Sequence, residues 1–373
     1  MEIRKFEKAQ ASLLGFGCMR LPVLAGKEAG IDRPRAMRLL DRAYDSGVTY
    51  FDTAFMYHDG ESEELVGQWL RGKPRATLQI ATKYPIWMEE AGTLEECLRV
   101  QLEKLGTDYI DFYLLHGLSK NSWEKVKQAG LLPKLKELKR QGVLKQIGFS
   151  FHDEYPVFEE ILTAFSWDFC QIQLNYMDAE YQAGVKGCEL AARLGVPVVV
   201  MEPVKGGSLA NPPEEIAAAL KSLHPAWSGA AWALRWAASQ KGVMTVLSGM
   251  SDEAQVEDNL NTFSSFEPLD EKECAALEKV GALYRARTRV ACTGCRYCMP
   301  CPAGVNIPAL FGLYNHAHIY NFLEEARYQY GQLEEKEKPD NCVACGKCMQ
   351  KCPQHIEIPA RMEEVREWTK RVF

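Results

Sequence analysis

Short apolar runs rich in Val, Ile, Phe and Tyr alternate along most of the chain with longer segments whose apolar positions recur at helical spacing. The runs are SLLGFGCMRL, VTYFDTA, TLQIATKY, YIDFYLLH, LKQIGFS, FCQIQLNY, VPVVVMEPV and VMTVLSGM. Each reads as a strand apolar on both faces. RPRAMRLLDRAYDSG, TLEECLRVQLEKLG and GCELAARLG read as helices, each closed by a glycine suited to a left-handed cap. Eight strands, each followed by a helix, predict a closed parallel (β/α)8 TIM barrel. An open doubly wound sheet would have the same alternation, but no G-x-G-x-x-G follows the first strand. A last helix, about Asp270 to Arg287, leads out of the barrel, so domains are expected at residues 1–285 and 286–373.

Composition narrows the function. The 373 residues are 47% hydrophobic and 25% charged, as in a globular protein, with a net charge of −6 that supplies no basic footprint for nucleic acid or anionic membrane. Met1 to Lys8 is charged and contains no apolar run, so neither a signal peptide nor a membrane span is expected, and the chain reads as cytoplasmic. Of 13 cysteines, Cys18, Cys97, Cys170, Cys188 and Cys274 stand singly and read as buried, reduced core residues; the other eight fall between Cys292 and Cys352 and mark a separate module.

Barrel chemistry sits where the strands end, at the C-terminal face. There VTYFDTAFMYHDG places Asp52 with Tyr57 just beyond, TLQIATKYP ends on Lys83, and YIDFYLLHG ends on His116. Singly, each has an ordinary role as a loop cap or a solvated side chain. On three consecutive strands they meet at one rim, and they are the parts a carbonyl reduction needs. A hydride arriving at carbon builds negative charge on oxygen, where a proton must be delivered. Tyr57 suits the general acid, Lys83 a cation that draws the phenol down toward the working range, Asp52 the partner of that lysine, and His116 the group orienting the carbonyl. Phe55, Trp87 and Met88 follow these strands as candidates for an apolar substrate pocket.

These residues resemble the aldo-keto reductase superfamily: an aspartate with a tyrosine five residues on, a lysine after the third strand and a histidine after the fourth, followed by the Gly, Ser-Glu and Gly of YHDGESEELVG. The resemblance covers about residues 1–285 and implies NADP(H) or NAD(H) bound without the Rossmann fingerprint. Carried over by position, Ser150 and Gln171 would hold the carboxamide. Phe151 stands where an asparagine commonly follows that serine, and Met201 where an aromatic often stacks on the nicotinamide. Met19 would join the site, Pro203, Val204 and Gly207 the pyrophosphate loop, and Gly249, Met250, Gln255 and Asn259 the adenosine end. The cation often used on a 2′-phosphate is missing at Gly249 and Gln255, so the residues do not choose between the two dinucleotides.

CVACGKCMQKCP places Cys342, Cys345, Cys348 and Cys352 in the C-x2-C-x2-C-x3-C-P run of a bacterial 4Fe-4S ferredoxin, and CTGCRYCMPCP supplies Cys292, Cys295, Cys298 and Cys301 with its last gap one residue short. Two zinc ions are the alternative, which the third cysteine and the Cys-Pro ending of both tracts disfavour. The long helical segment between the tracts resembles the small helical, ferredoxin-like two-cluster domain appended to some aldo-keto reductases. In a crossed arrangement, Cys292, Cys295 and Cys298 share a cluster with Cys352, and Cys342, Cys345 and Cys348 share one with Cys301. His316, His318 and His355 read as surface histidines.

A nicotinamide moves two electrons and each cluster one, with no flavin signature to split the pair. The expected function is an NAD(P)-dependent oxidoreductase that reduces a small-molecule aldehyde or ketone, or oxidises the alcohol, by hydride transfer, and whose clusters serve stability or electron transfer to a carrier such as a ferredoxin or flavodoxin. The alternative is an iron-sulfur electron-transfer protein on a barrel scaffold with little reductase activity.

Overall fold

The computed structural model describes residues 1–7, 9–24 and 30–373; Lys8, at the end of the charged N-terminal stretch, lies outside them. The chain packs as two compact units, Met1–Gly207 with Trp227–Cys274, and Ser208–Ala226 with Ala275–Phe373. This differs from a division at residue 286. Composition marks where the cysteines begin, whereas packing marks which segments bury one another, and it draws 208–226 and all of 275–285 into the second unit.

The first unit opens with an antiparallel hairpin, β1 (Ile3–Lys5) and β2 (Gln10–Ser12). The sequence reading passes over it because three-residue strands carry too little alternation to register. Eight strands follow, one in each apolar run: β3 (Leu14–Gly17), β4 (Tyr50–Asp52), β5 (Gln79–Tyr84), β6 (Ile110–Leu118), β7 (Leu144–Phe151), β8 (Phe169–Gln173), β9 (Val198–Met201) and β10 (Val243–Ser248). They close into a parallel barrel in which β10 pairs with both β9 and β3. The intervening helices take their ends from the sequence. Thr93 and Glu96 form a reciprocal capping box on helix 94–105, and Gly106 stops it at φ 62°.

Strand alternation positions the site. Tyr50, Ala81, Phe112, Leu114, Phe169, Val199, Met244 and Leu247 form an inner core with Ala9 and Ala11 of the hairpin segment. Their neighbours Phe51, Ile80, Tyr113, Leu115, Cys170, Val198, Val200 and Val246 belong to the outer core, where the strands meet the helices. A period of two then sends Asp52, Lys83, His116, Gln171 and Met201 inward as well, each two residues beyond an inner-core side chain. The lone cysteines Cys18, Cys97, Cys170 and Cys188 are buried as expected, while Cys274 is half-buried.

In the second unit, helices 307–320, 323–331 and 358–372 enclose a core of Ile307, Leu310, Phe311, Leu313, Ile358, Met362, Val365 and Trp368. Cys292, Cys298, Cys301, Cys342, Cys348 and Cys352 pack against it. Among the described residues, no helix is long and apolar enough to cross a membrane.

Candidate active site and cysteine cavities

Lys83 is the hub of the barrel site. Its ammonium, fully buried, donates to Asp52 Oδ1 at 2.6 Å, to the Thr53 carbonyl at 2.7 Å and to Tyr57 Oη at 3.2 Å. Tyr57 reaches it from a loop in which His58, Asp59 and Gly60 are successively left-handed, at φ 51°, 54° and 89°. A bond from Leu21 N–H to His58 Nε2, 3.2 Å long, ties that loop to the segment after β3. The Tyr57 and His116 rings meet edge to face with centroids 6.0 Å apart, and Trp87 covers His116 at 5.0 Å. Trp87 is also the reason position 117 suits glycine, since a Cβ there would lie 3.1 Å from the indole and the backbone is left-handed. Phe55 and Met88 pack, partly buried, against the outer core, and Trp87 lies beside His116.

Burial sets the protonation states. It pushes the Tyr57 phenol above its ordinary range; Lys83 pulls it back, but the net direction is upward. This corrects the expectation of a phenol drawn downward: the lysine acts with the predicted sign and desolvation outweighs it. Burial works against the Lys83 ammonium, yet Asp52 and Tyr57 overcome this and hold its pKa above the usual value. His116 is driven well below the imidazole range by burial first and by Lys83 second, so it is neutral at pH 7.

Around this centre the expected dinucleotide positions divide. The Ser150 hydroxyl accepts from Gly117 N–H at 2.7 Å, leaving its own proton to give. Gln171 donates to the Met201 sulfur at 3.6 Å, while its Oε1 is buried with no partner among the described residues. Met19 is exposed, Pro203 is buried, and Val204, Gly207 and Met201 are half-buried. Asn259 braces the end of β10 through Ser248 Oγ at 2.8 Å, and Gln255 accepts from Ser251 N–H at 2.9 Å. Met250 is 1% exposed and its side chain belongs to the outer core, so it offers the site only backbone. A buried amide oxygen with nothing to accept and a free hydroxyl proton suit a carboxamide.

A backbone atom and a buried side-chain brace were not singled out from sequence. The Thr53 carbonyl is a backbone atom and carries no residue signature. Gln101 donates to the Lys83 carbonyl at 3.0 Å and to Glu63 at 2.9 Å, and Thr82 donates to the same carboxylate at 2.5 Å, a buried brace behind the lysine strand.

In the second unit the cysteines gather around two small cavities. One is lined by Cys292, Cys295, Cys298 and Cys352, the other by Cys342, Cys345, Cys348 and Cys301. Each thus collects three thiols from one tract and one from the other. A tetrahedral zinc needs its four ligand atoms about 2.0–2.3 Å from a common centre. Among the described residues no three His, Cys, Asp or Glu converge that way. Gly294 N–H donates to Cys292 Sγ at 3.4 Å. His316 and His318 are half-buried rather than on the surface, the first beside Ser208 Oγ at 3.1 Å and the second against the Tyr314 carbonyl at 2.8 Å; His355 is exposed.

Residues 13–282 match the aldo/keto reductase family, and residues 291–357 match the 4Fe-4S dicluster domain. The chain belongs to the aldo/keto reductase family and carries a C-terminal 4Fe-4S dicluster domain. It is 26% identical over 300 residues to the uncharacterized oxidoreductase YqkF of Bacillus subtilis (strain 168), covering 72% of this chain and 92% of that one. It is 27% identical over 228 residues to the methylglyoxal reductase YeaE of Escherichia coli (strain K12), covering 59% and 76%. Among solved structures it resembles the holo form of aldo-keto reductase AKR11C1 from Bacillus halodurans, with a TM-score of 0.63 and 28% identity over 75% of this chain and 96% of that one.

Proposed function

We propose that the barrel reduces a small aldehyde or ketone, or oxidises the corresponding alcohol, with NADPH or NADH. The observation that carries this is the buried Lys83 ammonium shared between Asp52 and the Tyr57 hydroxyl at the barrel mouth. Ser150 and Gln171 would hold the nicotinamide carboxamide, with Pro203, Val204 and Gly207 on the phosphates and Gly249, Gln255 and Asn259 around the adenosine. When bound, the nicotinamide supplies the hydride. Tyr57, protonated because burial raises its pKa, gives its proton to the carbonyl oxygen. The phenolate left behind faces a cation already in place, so Lys83 stabilises charge that develops only as the reaction proceeds. Neutral His116 supplies an N–H to orient the carbonyl without competing for the proton.

For the second unit the proposed cargo is two 4Fe-4S clusters, with Cys292, Cys295, Cys298 and Cys352 on one and Cys342, Cys345, Cys348 and Cys301 on the other. Cys295 and Cys345, one at each cavity, are exposed. A cluster held there would have an edge near the surface, which supports the reading of one-electron exchange with a carrier such as a ferredoxin or flavodoxin over a purely structural role.

Iron-reconstituted protein, given NADPH or NADH and a panel of short aldehydes and ketones, should oxidise the nicotinamide only when a carbonyl is present. Absence of turnover across a broad panel, with the dinucleotide bound, would count against the reductase reading.

A further inference from the structure

We infer that Arg20 is a phosphate-binding residue of the dinucleotide site, a cation laid across two glycine loops to grip the pyrophosphate bridge; this rests on the nicotinamide reading above. Arg20 ends the turn Cys18–Arg20 that follows β3. The turn is anchored on both sides, by Ser62 Oγ donating to the Cys18 carbonyl at 3.1 Å and by Leu21 N–H donating to His58 at 3.2 Å, and Cys18 is fully buried. The arginine itself is exposed.

Its side chain takes a defined course. The stem passes over Gly249, where a Cβ would stand 3.1 Å from Arg20 Cβ, 3.3 Å from Cγ and 3.2 Å from Cδ. Gly249 is not left-handed, so its backbone does not demand glycine; what the missing side chain leaves is room for the arginine stem. The guanidinium ends at Gly206, where a Cβ would stand 3.4 Å from Nη2. Gly206 lies between left-handed Lys205 and Gly207, in the loop that follows β9. Position 249 carries no cation of its own, and Arg20 brings one into the space beside it.

The charge is uncommitted. Among the described residues the guanidinium has no hydrogen-bond or ion-pair partner, whereas the nearby Lys205 is bound to Asp178. An unpaired guanidinium at a glycine loop is complementary to a phosphate diester, whose oxygens accept its forked N–H groups. Because its head lies at the β9 loop with Val204 and Gly207, the ligand group is the pyrophosphate common to NADH and NADPH, not the 2′-phosphate found in one of them.

The test is a fluorescence titration of reconstituted wild type, Arg20→Gln and Arg20→Lys with NADH and with NADPH. Arg20→Gln should weaken both by about the same factor, roughly tenfold to a hundredfold for loss of a charge-assisted contact, with Arg20→Lys recovering part of it. Adenosine, which has no phosphate, should bind wild type and Arg20→Gln alike. Gly249→Ala, by displacing the arginine stem, should reproduce the loss. Unchanged affinity of Arg20→Gln for both dinucleotides overturns the assignment, as does a loss confined to NADPH. A wild type that binds neither dinucleotide instead defeats the underlying cofactor reading.

Discussion

The Lys83 ammonium stands 3.2 Å from the Tyr57 hydroxyl while holding Asp52 Oδ1 at 2.6 Å, so one buried cation is shared between a buried carboxylate and a group that becomes anionic only when it gives up a proton. Much of the expected behaviour of the barrel follows from this.

Replacing Tyr57 by Phe removes the proton donor and leaves the ring. Carbonyl reduction should fall by about 10²–10⁴-fold, while dinucleotide affinity changes little. Steady-state kinetics paired with a binding titration separates the two, and turnover near the wild-type rate would remove Tyr57 from the chemistry.

Lys83→Met strands the buried Asp52 carboxylate, whose Oδ2 already lacks a partner among the described residues. Breaking a buried pair in this way costs about 3–5 kcal/mol, measurable by denaturant unfolding. The double variant Asp52→Asn with Lys83→Met should regain much of that stability and remain inactive, which separates folding from catalysis.

The pH profile should reflect Tyr57 and not His116. Since burial raises the phenol, reduction persists through neutrality and declines only as pH climbs past the ordinary tyrosine value of about 10. Alcohol oxidation, which needs the phenolate, should rise in that same direction. His116 is held well below its usual range, so its protonation should leave no step near its ordinary pKa of about 6.5. A step there that vanishes in His116→Ala would contradict the neutral assignment.

Each cysteine cavity takes its fourth thiol from the distant tract. Anaerobic protein should carry about eight irons and about eight labile sulfides. Cys301→Ser should damage the cluster of Cys342, Cys345 and Cys348 more than that of Cys292, Cys295 and Cys298. Iron and sulfide assays with electron paramagnetic resonance of the reduced protein would detect this; damage confined to the first tract's own cluster would mean that the ligands do not cross.

Neither Gly249 nor Gln255 offers a cation to a 2′-phosphate, so NADPH and NADH should bind within about a hundredfold of one another, or roughly 2.7 kcal/mol. A larger preference in a direct titration would require a basic residue other than Arg20 at that phosphate.

The sequence by itself determined whatever repeats over short distances. Eight apolar runs declare eight strands because each strand is covered on both faces. The parity within each run sends Asp52, Lys83 and His116 inward, because side chains on a strand alternate whatever the rest of the molecule does. Cysteine spacing declares the cluster tracts for a similar reason, since ligands on one turn of chain must reach one group. The tertiary structure decided what depends on closure and burial. Whether Tyr57 titrates up or down is a balance between lost water and a nearby charge, and only the packed barrel fixes the water term. The brace from Gln101 to the Lys83 carbonyl, the sharing of Cys301 and Cys352 between distant tracts, and the passage of Arg20 over Gly249 each join residues with no periodic relation. Such contacts exist only once the chain has folded back on itself, because local sequence sets the direction in which a side chain leaves its strand or turn and the assembled fold sets what it meets.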